Sequence, residues 1–205
     1  MFKKILINSL IVFGISFLFH NLYSYLPFFP ITIIAPVNES IFEHMKLIFS
    51  SYMFFTLIIY LFYKKKPNNY VASNVLGALF NIVIFLIIFI PVYLIIGENI
   101  VVTLIIYFIT IVATNYLKEK LEDKPINKKL NLITGLSIIL IYIIFGILTY
   151  FPIKNELLFM DPTNKSYGID NLNDWFSCKY FNIFIFINCN ICFIYYFNKT
   201  KTINY

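Results

Sequence analysis

Long apolar stretches separated by short polar blocks set the pattern of this chain. Counting runs that approach the roughly 20 apolar residues a helix needs to cross a bilayer gives six, at about 5–26, 45–63, 71–96, 100–117, 130–151 and 175–197. The fourth is short, and Lys179, Asn182, Asn188 and Asn190 weaken the sixth. Pro27, Pro30 and Pro36 keep the chain out of helix from Leu26 to Val37, and Asn38 then offers an N-cap with Glu39 and Ser40 in the first turn. The expected fold is all-α: a polytopic transmembrane helix bundle of about six spans in one integral membrane domain, 1–205, or five spans if residues 175–197 do not insert.

Composition agrees, because 60% of residues are hydrophobic and only 13% are charged, which leaves little chain for a soluble domain. All 16 basic residues are lysines, and they gather at alternate ends of the spans. Lys3 and Lys4 precede the first span, Lys64 to Lys66 follow the second, five lysines between 118 and 129 follow the fourth, and Lys199 and Lys201 follow the sixth. Retained cytoplasmic loops carry such an excess, so both termini are expected in the cytoplasm of a multi-pass cell-membrane protein. The net charge of +6 is then a topological signal and not a nucleic-acid footprint; the bilayer itself is the expected partner.

Met1 to His20 imitates a secretory signal, but the bulky Asn21-Leu22-Tyr23-Ser24-Tyr25 offers no cleavage site, so a retained first helix is expected. Cys178, Cys189 and Cys192 all fall in the last stretch and read as small apolar fillers before they read as a metal pair or disulfide. Asn8, Asn74, Asn81, Asn115, Ser137 and Thr149 read as hydrogen-bonding groups between helices, and Pro91 as a kink. No phosphate-binding loop, dinucleotide fingerprint or serine-nucleophile elbow is present.

Chemistry concentrates in Asn38-Glu39-Ser40-Ile41-Phe42-Glu43-His44-Met45-Lys46, at the mouth of the second span. At about 100° per residue, Glu39, Glu43 and Lys46 would share one helix face, with Ser40 and His44 beside it. A capped helix with a Glu43–Lys46 pair explains part of this, yet two carboxylates four positions apart repel unless a cation, a shared proton or Lys46 intervenes. Glu39, Glu43, His44 and Lys46 are therefore the candidate catalytic residues. His20, Glu39, Glu43 and His44 are the candidate ligands of a divalent metal such as zinc, although this spacing is not a diagnostic one. Asn38, Ser40, Asp161 and Tyr167 are the candidate substrate contacts. The last two belong to Phe159–Ile169, which reads as a turn with Gly168 at a positive φ, and as a lid over the first cluster.

The combination of His20, Pro36-Val37-Asn38-Glu39-Ser40-Ile41-Phe42-Glu43-His44-Met45-Lys46 and Asp161-Pro162 with Tyr167-Gly168-Ile169 resembles a family of small polytopic bacterial membrane proteins of unknown function. The resemblance covers roughly residues 5–169. It implies an inner-membrane location and marks 170–205 as an extension beyond the family core, and it brings no substrate. Two kinds of function remain open. An enzyme would be a hydrolase or transferase on lipid or lipid-linked substrates, with Glu39 or Glu43 as base, His20 and His44 as ligands or proton carriers, and Lys46 facing an anionic headgroup. A small transporter or channel subunit would use the same carboxylates for a cation or proton, and a non-catalytic membrane subunit would use them only to organise the start of the helix.

Overall fold

The computed structural model describes residues 2–62, 67–125 and 127–169. Seven helices follow in order: α1 Phe2–Tyr25, α2 Phe29–Ile34, α3 Ile41–Phe62, α4 Tyr70–Ile96, α5 Ile100–Glu122, α6 Lys128–Tyr150 and α7 Glu156–Phe159. Among the described residues the only β pairing is an isolated bridge between Met160 and Tyr167. Five helices, α1, α3, α4, α5 and α6, are long and apolar enough to cross a membrane. The expected sixth stretch, 175–197, and the three cysteines lie outside the described residues.

Each long helix turns one stripe inward. On α1 the buried positions Ile5, Ser9, Val12, Ile15, Ser16 and Phe19 recur at three- and four-residue spacing, the repeat that lines one helical face. That face meets α3 and α5, while α4 packs on α3, α5 and α6. Aromatic rings knit the contacts: Phe49 of α3 meets Tyr142 and Phe145 of α6 edge-on at 5.4 and 5.8 Å between centroids. Outward faces stay apolar, as with Leu132, Leu136, Ile139, Leu140 and Ile143 of α6, and lipid is the solvent that suits them.

Three local departures from the sequence reading matter for function. Residues 26–37 are not free of helix, because α2 forms there with Pro30 in its first turn, where a missing N–H costs nothing. Helix α3 begins at Ile41 rather than at Asn38. Asn38 Oδ1 accepts the Ser40 amide at 2.9 Å, and Ser40 Oγ takes the Glu43 amide at 3.3 Å, so Ser40 is the cap and Glu39 sits before the helix. Finally, α5 runs to Glu122, five residues past the expected end. Lys118, Glu119 and Glu122 are consequently buried, with Lys4 Nζ 2.8 Å from Glu119 and 3.7 Å from Glu122.

Candidate functional site

Because Glu39 precedes the helix, its side chain is not bound to the face that carries Glu43 and Lys46. Its backbone amide donates to Asp161 Oδ2 at 3.1 Å, which fixes the residue from outside α3. The carboxylate then lies between the two histidines of the chain. Glu39 Oε2 is 3.4 Å from His20 Nε2 at the end of α1 and 3.7 Å from His44 Nε2 on the first turn of α3. The two imidazoles are 5.6 Å apart between centroids. One ligand atom from each of the three residues falls within 4.8 Å of the others.

The His44 ring is oriented by its other nitrogen. Nδ1 lies 2.9 Å from the Ser40 carbonyl oxygen, which can only accept, so Nδ1 carries the proton. In the neutral ring Nε2 is then a bare lone pair, and it faces Glu39. This is the outer contact that metal-binding histidines commonly make, with a backbone carbonyl holding the tautomer and ring plane. Tetrahedral zinc with nitrogen and oxygen donors about 2.0–2.1 Å away sets donors about 3.3–3.4 Å apart. The two contacts to Glu39 are close to that separation. His20, at 3.4 Å, holds the Glu39 carboxyl below the usual glutamate range against the opposing effect of burial.

The trio lines a cavity of about 490 Å³. Phe17, Phe85, Phe89, Leu104 and Tyr107 make its walls largely apolar, while Glu98, Glu156 and Thr163 add polar groups beside the trio. A few polar groups set in largely apolar walls suit an amphiphile. Glu98 and Glu156 were absent from the sequence candidates; Glu98 sits between α4 and α5, and Glu156 opens α7.

Glu43 and Lys46 are not with the trio. They point to the opposite side of α3 and form a sealed pair, Lys46 Nζ to Glu43 Oε2 at 2.5 Å, with neither side chain more than 1% exposed. Lys46 also donates to the Thr32 carbonyl of α2 at 2.7 Å and to Thr149 Oγ1 of α6 at 2.9 Å. Thr149 Oγ1 in turn donates to Glu43 Oε1 at 2.9 Å, and the Val37 amide donates to Glu43 Oε2 at 3.1 Å. All three ammonium protons have acceptors, so the network is closed. Thr149, set aside in the sequence as a helix-packing residue, is its bridge.

Of the remaining candidates, Asn38 donates from Nδ2 to the Gly168 carbonyl at 3.0 Å, and Ser40 is buried as the cap. Asp161 is buried as well: Thr163 donates to its Oδ1 through backbone and hydroxyl, and the Glu39 amide occupies Oδ2. Burial alone would raise its pKa, but the Thr163 hydroxyl and the amides of Glu39, Thr163 and Asn164 outweigh this and hold it below the ordinary aspartate range. Tyr167 is half-buried against the apolar core and bridges to Met160. The two motif segments therefore meet, with Asn38, Glu39, Asp161 and Gly168 as the points of attachment.

No curated protein and no solved structure matches this chain. A match over residues 1–169 places it elsewhere: the chain belongs to the family of unknown function DUF6512.

Proposed function

We propose that the protein is a membrane enzyme that uses a divalent metal, held by His20, Glu39 and His44, to hydrolyse or transfer a group on an amphiphilic, lipid-linked substrate. The observation that carries the reading is the His44 geometry: a ring fixed by the Ser40 carbonyl, with its free nitrogen aimed at Glu39 beside His20. Three protein donors leave one position of a tetrahedral ion for water or substrate, the pattern of catalytic rather than structural zinc. A metal there would lower the pKa of bound water and polarise an ester or phosphoryl oxygen. Glu98 and Glu156, the other carboxylates on the cavity wall, are the groups available to take up a proton. The substrate's apolar tail would lie along Phe17, Phe89 and Leu104. Lysines at the opposite end support an orientation with the cavity's end outside the cytoplasm and both termini within it, in the cytoplasmic membrane.

Metal content of the detergent-purified protein, measured by plasma mass spectrometry after dialysis against zinc, tests the reading. Near-stoichiometric metal in the wild type, lost in both Glu39→Ala and His44→Ala, is the expected result. A folded wild type that retains none would end the proposal.

A further inference from the structure

The walls of the cavity discriminate between the heads an amphiphile can carry. Their ionisable groups are Glu39, Glu98 and Glu156 with His20 and His44, and among the described residues no lysine lines the cavity, although the sequence holds 16. Lys154 and Lys165 belong to the same connection after α6 that supplies Glu156, Met160 and Thr163, yet neither contributes to the walls. Lys46, which the sequence offered to an anionic headgroup, is engaged behind α3 with Glu43, Thr32 and Thr149. The two long helices that start beside the cavity are capped by the chain itself. Ser40 Oγ takes the Glu43 amide of α3 at 3.3 Å, and Asn99 Oδ1 takes the Val102 amide of α5 at 3.2 Å, so side-chain oxygens already occupy the places where a helix start would hold a phosphate.

Aromatic rings supply the complementary feature. Phe85, Phe89 and Tyr93 follow one another at four-residue spacing on α4 and all three line the cavity. Their centroids are 5.0 Å apart in the first pair and 5.6 Å in the second. The row ends five residues before Glu98, which lines the same cavity. The face of such a ring attracts a cation lying within about 6 Å of its centroid, and quaternary ammonium ligands are bound in this way. Carboxylates set beside low-dielectric walls add a field of the same sense. Away from the histidines, an anionic head would meet two carboxylates and no lysine, whereas an ammonium head would meet two counter-charges and a row of rings.

We propose that the cavity takes an amphiphile whose head bears an ammonium group, drawn to Glu98, Glu156 and the Tyr93 ring, with its chain along Phe89 and Phe85. The inference rests on the amphiphile reading of the cavity and not on the metal, since selection is by charge and ring faces and no bond is made or broken. An alkylamine and a phospholipid whose phosphate carries an ammonium share this chemistry.

The test is calorimetric titration of the full chain in dodecyl maltoside, with protein-free micelles as the blank, by octyltrimethylammonium, octylphosphocholine and octyl phosphate. Both ammonium probes should bind roughly tenfold or more tightly than octyl phosphate, equivalent to about 1.4 kcal/mol. The tighter of the two tells whether the preferred head also carries a phosphate. Glu98→Gln combined with Glu156→Gln, both at exposed positions, should weaken the ammonium probes about tenfold. Lys154→Gln combined with Lys165→Gln changes the charge of the same connection without touching the walls, and screening should hold its effect below about twofold. Size-exclusion profiles and helical circular dichroism identify folded variants, and Tyr93→Leu, which should also weaken the ammonium probes, serves if the carboxylate variant does not fold. Octyl phosphate binding as tightly as the ammonium probes, or unchanged affinity in a folded Glu98→Gln, Glu156→Gln protein, overturns the proposal. Absence of binding by all three probes overturns it together with the amphiphile reading. None of these results alters the metal content of the wild type, so the metal reading fails or stands separately.

Discussion

Gly168 shows how one backbone position can hold a functional surface together. Its φ is +62°, and an added Cβ would lie 2.3 Å from the Thr149 carbonyl oxygen and 3.2 Å from the Pro152 ring. Backbone oxygen cannot retreat as a flexible side chain can, so Gly168→Ala should destabilise by on the order of 1–3 kcal/mol from conformation alone, with the clash in addition. A clear fall in Tm in detergent is expected for Gly168→Ala and none for Gly14→Ala; equal Tm values for the two would refute this account. The sequence read the turn residues correctly, because Asp161-Pro162 and Gly168 carry their conformations in their own covalent structure. It could not reveal that Gly168 lies under Thr149, which depends on contacts across the fold. Likewise, His20 and His44 stand out as the two histidines of the chain, whereas nothing local separates Thr149 from any other threonine in a span.

At the scale of elements, the Glu43–Lys46 pair joins α3 to α2 and α6 through Thr32 and Thr149. A buried pair contributes little relative to a well-packed apolar substitute, but removing one partner strands the other charge. Lys46→Met should therefore cost about 3–5 kcal/mol, and Glu43→Met with Lys46→Met should recover a substantial part of that loss. Unfolding in denaturant, followed by circular dichroism, would decide it: a double variant no more stable than Lys46→Met contradicts the assignment. Helical periodicity grouped Glu39 with this pair because it assumed a helix from Asn38 onward. The Asn38 side chain instead closes a turn on Ser40, and the two-residue shift separates the carboxylates into a sealed tie, Glu43, and a half-exposed group beside two histidines, Glu39. That competition between a cap and a turn is decided by tertiary contacts, here the Asp161 carboxylate on the Glu39 amide.

For the whole molecule, apolar length made the helices of the bundle legible in the sequence, since lipid rewards continuous outward apolarity that sequence alone displays. The burial of Lys118 and Glu122 was not legible, because they look like loop charges until α5 is seen to run as far as Glu122. The lysine bias predicts sidedness. With Cys178, Cys189 and Cys192 changed to serine, Lys165→Cys should react with an impermeant thiol reagent added to intact cells, and Lys129→Cys only after the cells are opened. The reverse pattern would invert the orientation and place His20, Glu39 and His44 on the cytoplasmic side. The attachment of Glu39 also bears on the order in which the candidate site forms. His20, Glu39 and His44 all emerge early from the ribosome, but the carboxylate that anchors Glu39 arrives 122 positions later, and the carbonyl that anchors Asn38 arrives 130 positions later. Contacts so distant along the chain close late. A nascent chain therefore carries His20, Glu39 and His44 before the contacts that fix Glu39 exist, and the cluster is complete only once the segment from Asp161 to Gly168 has docked.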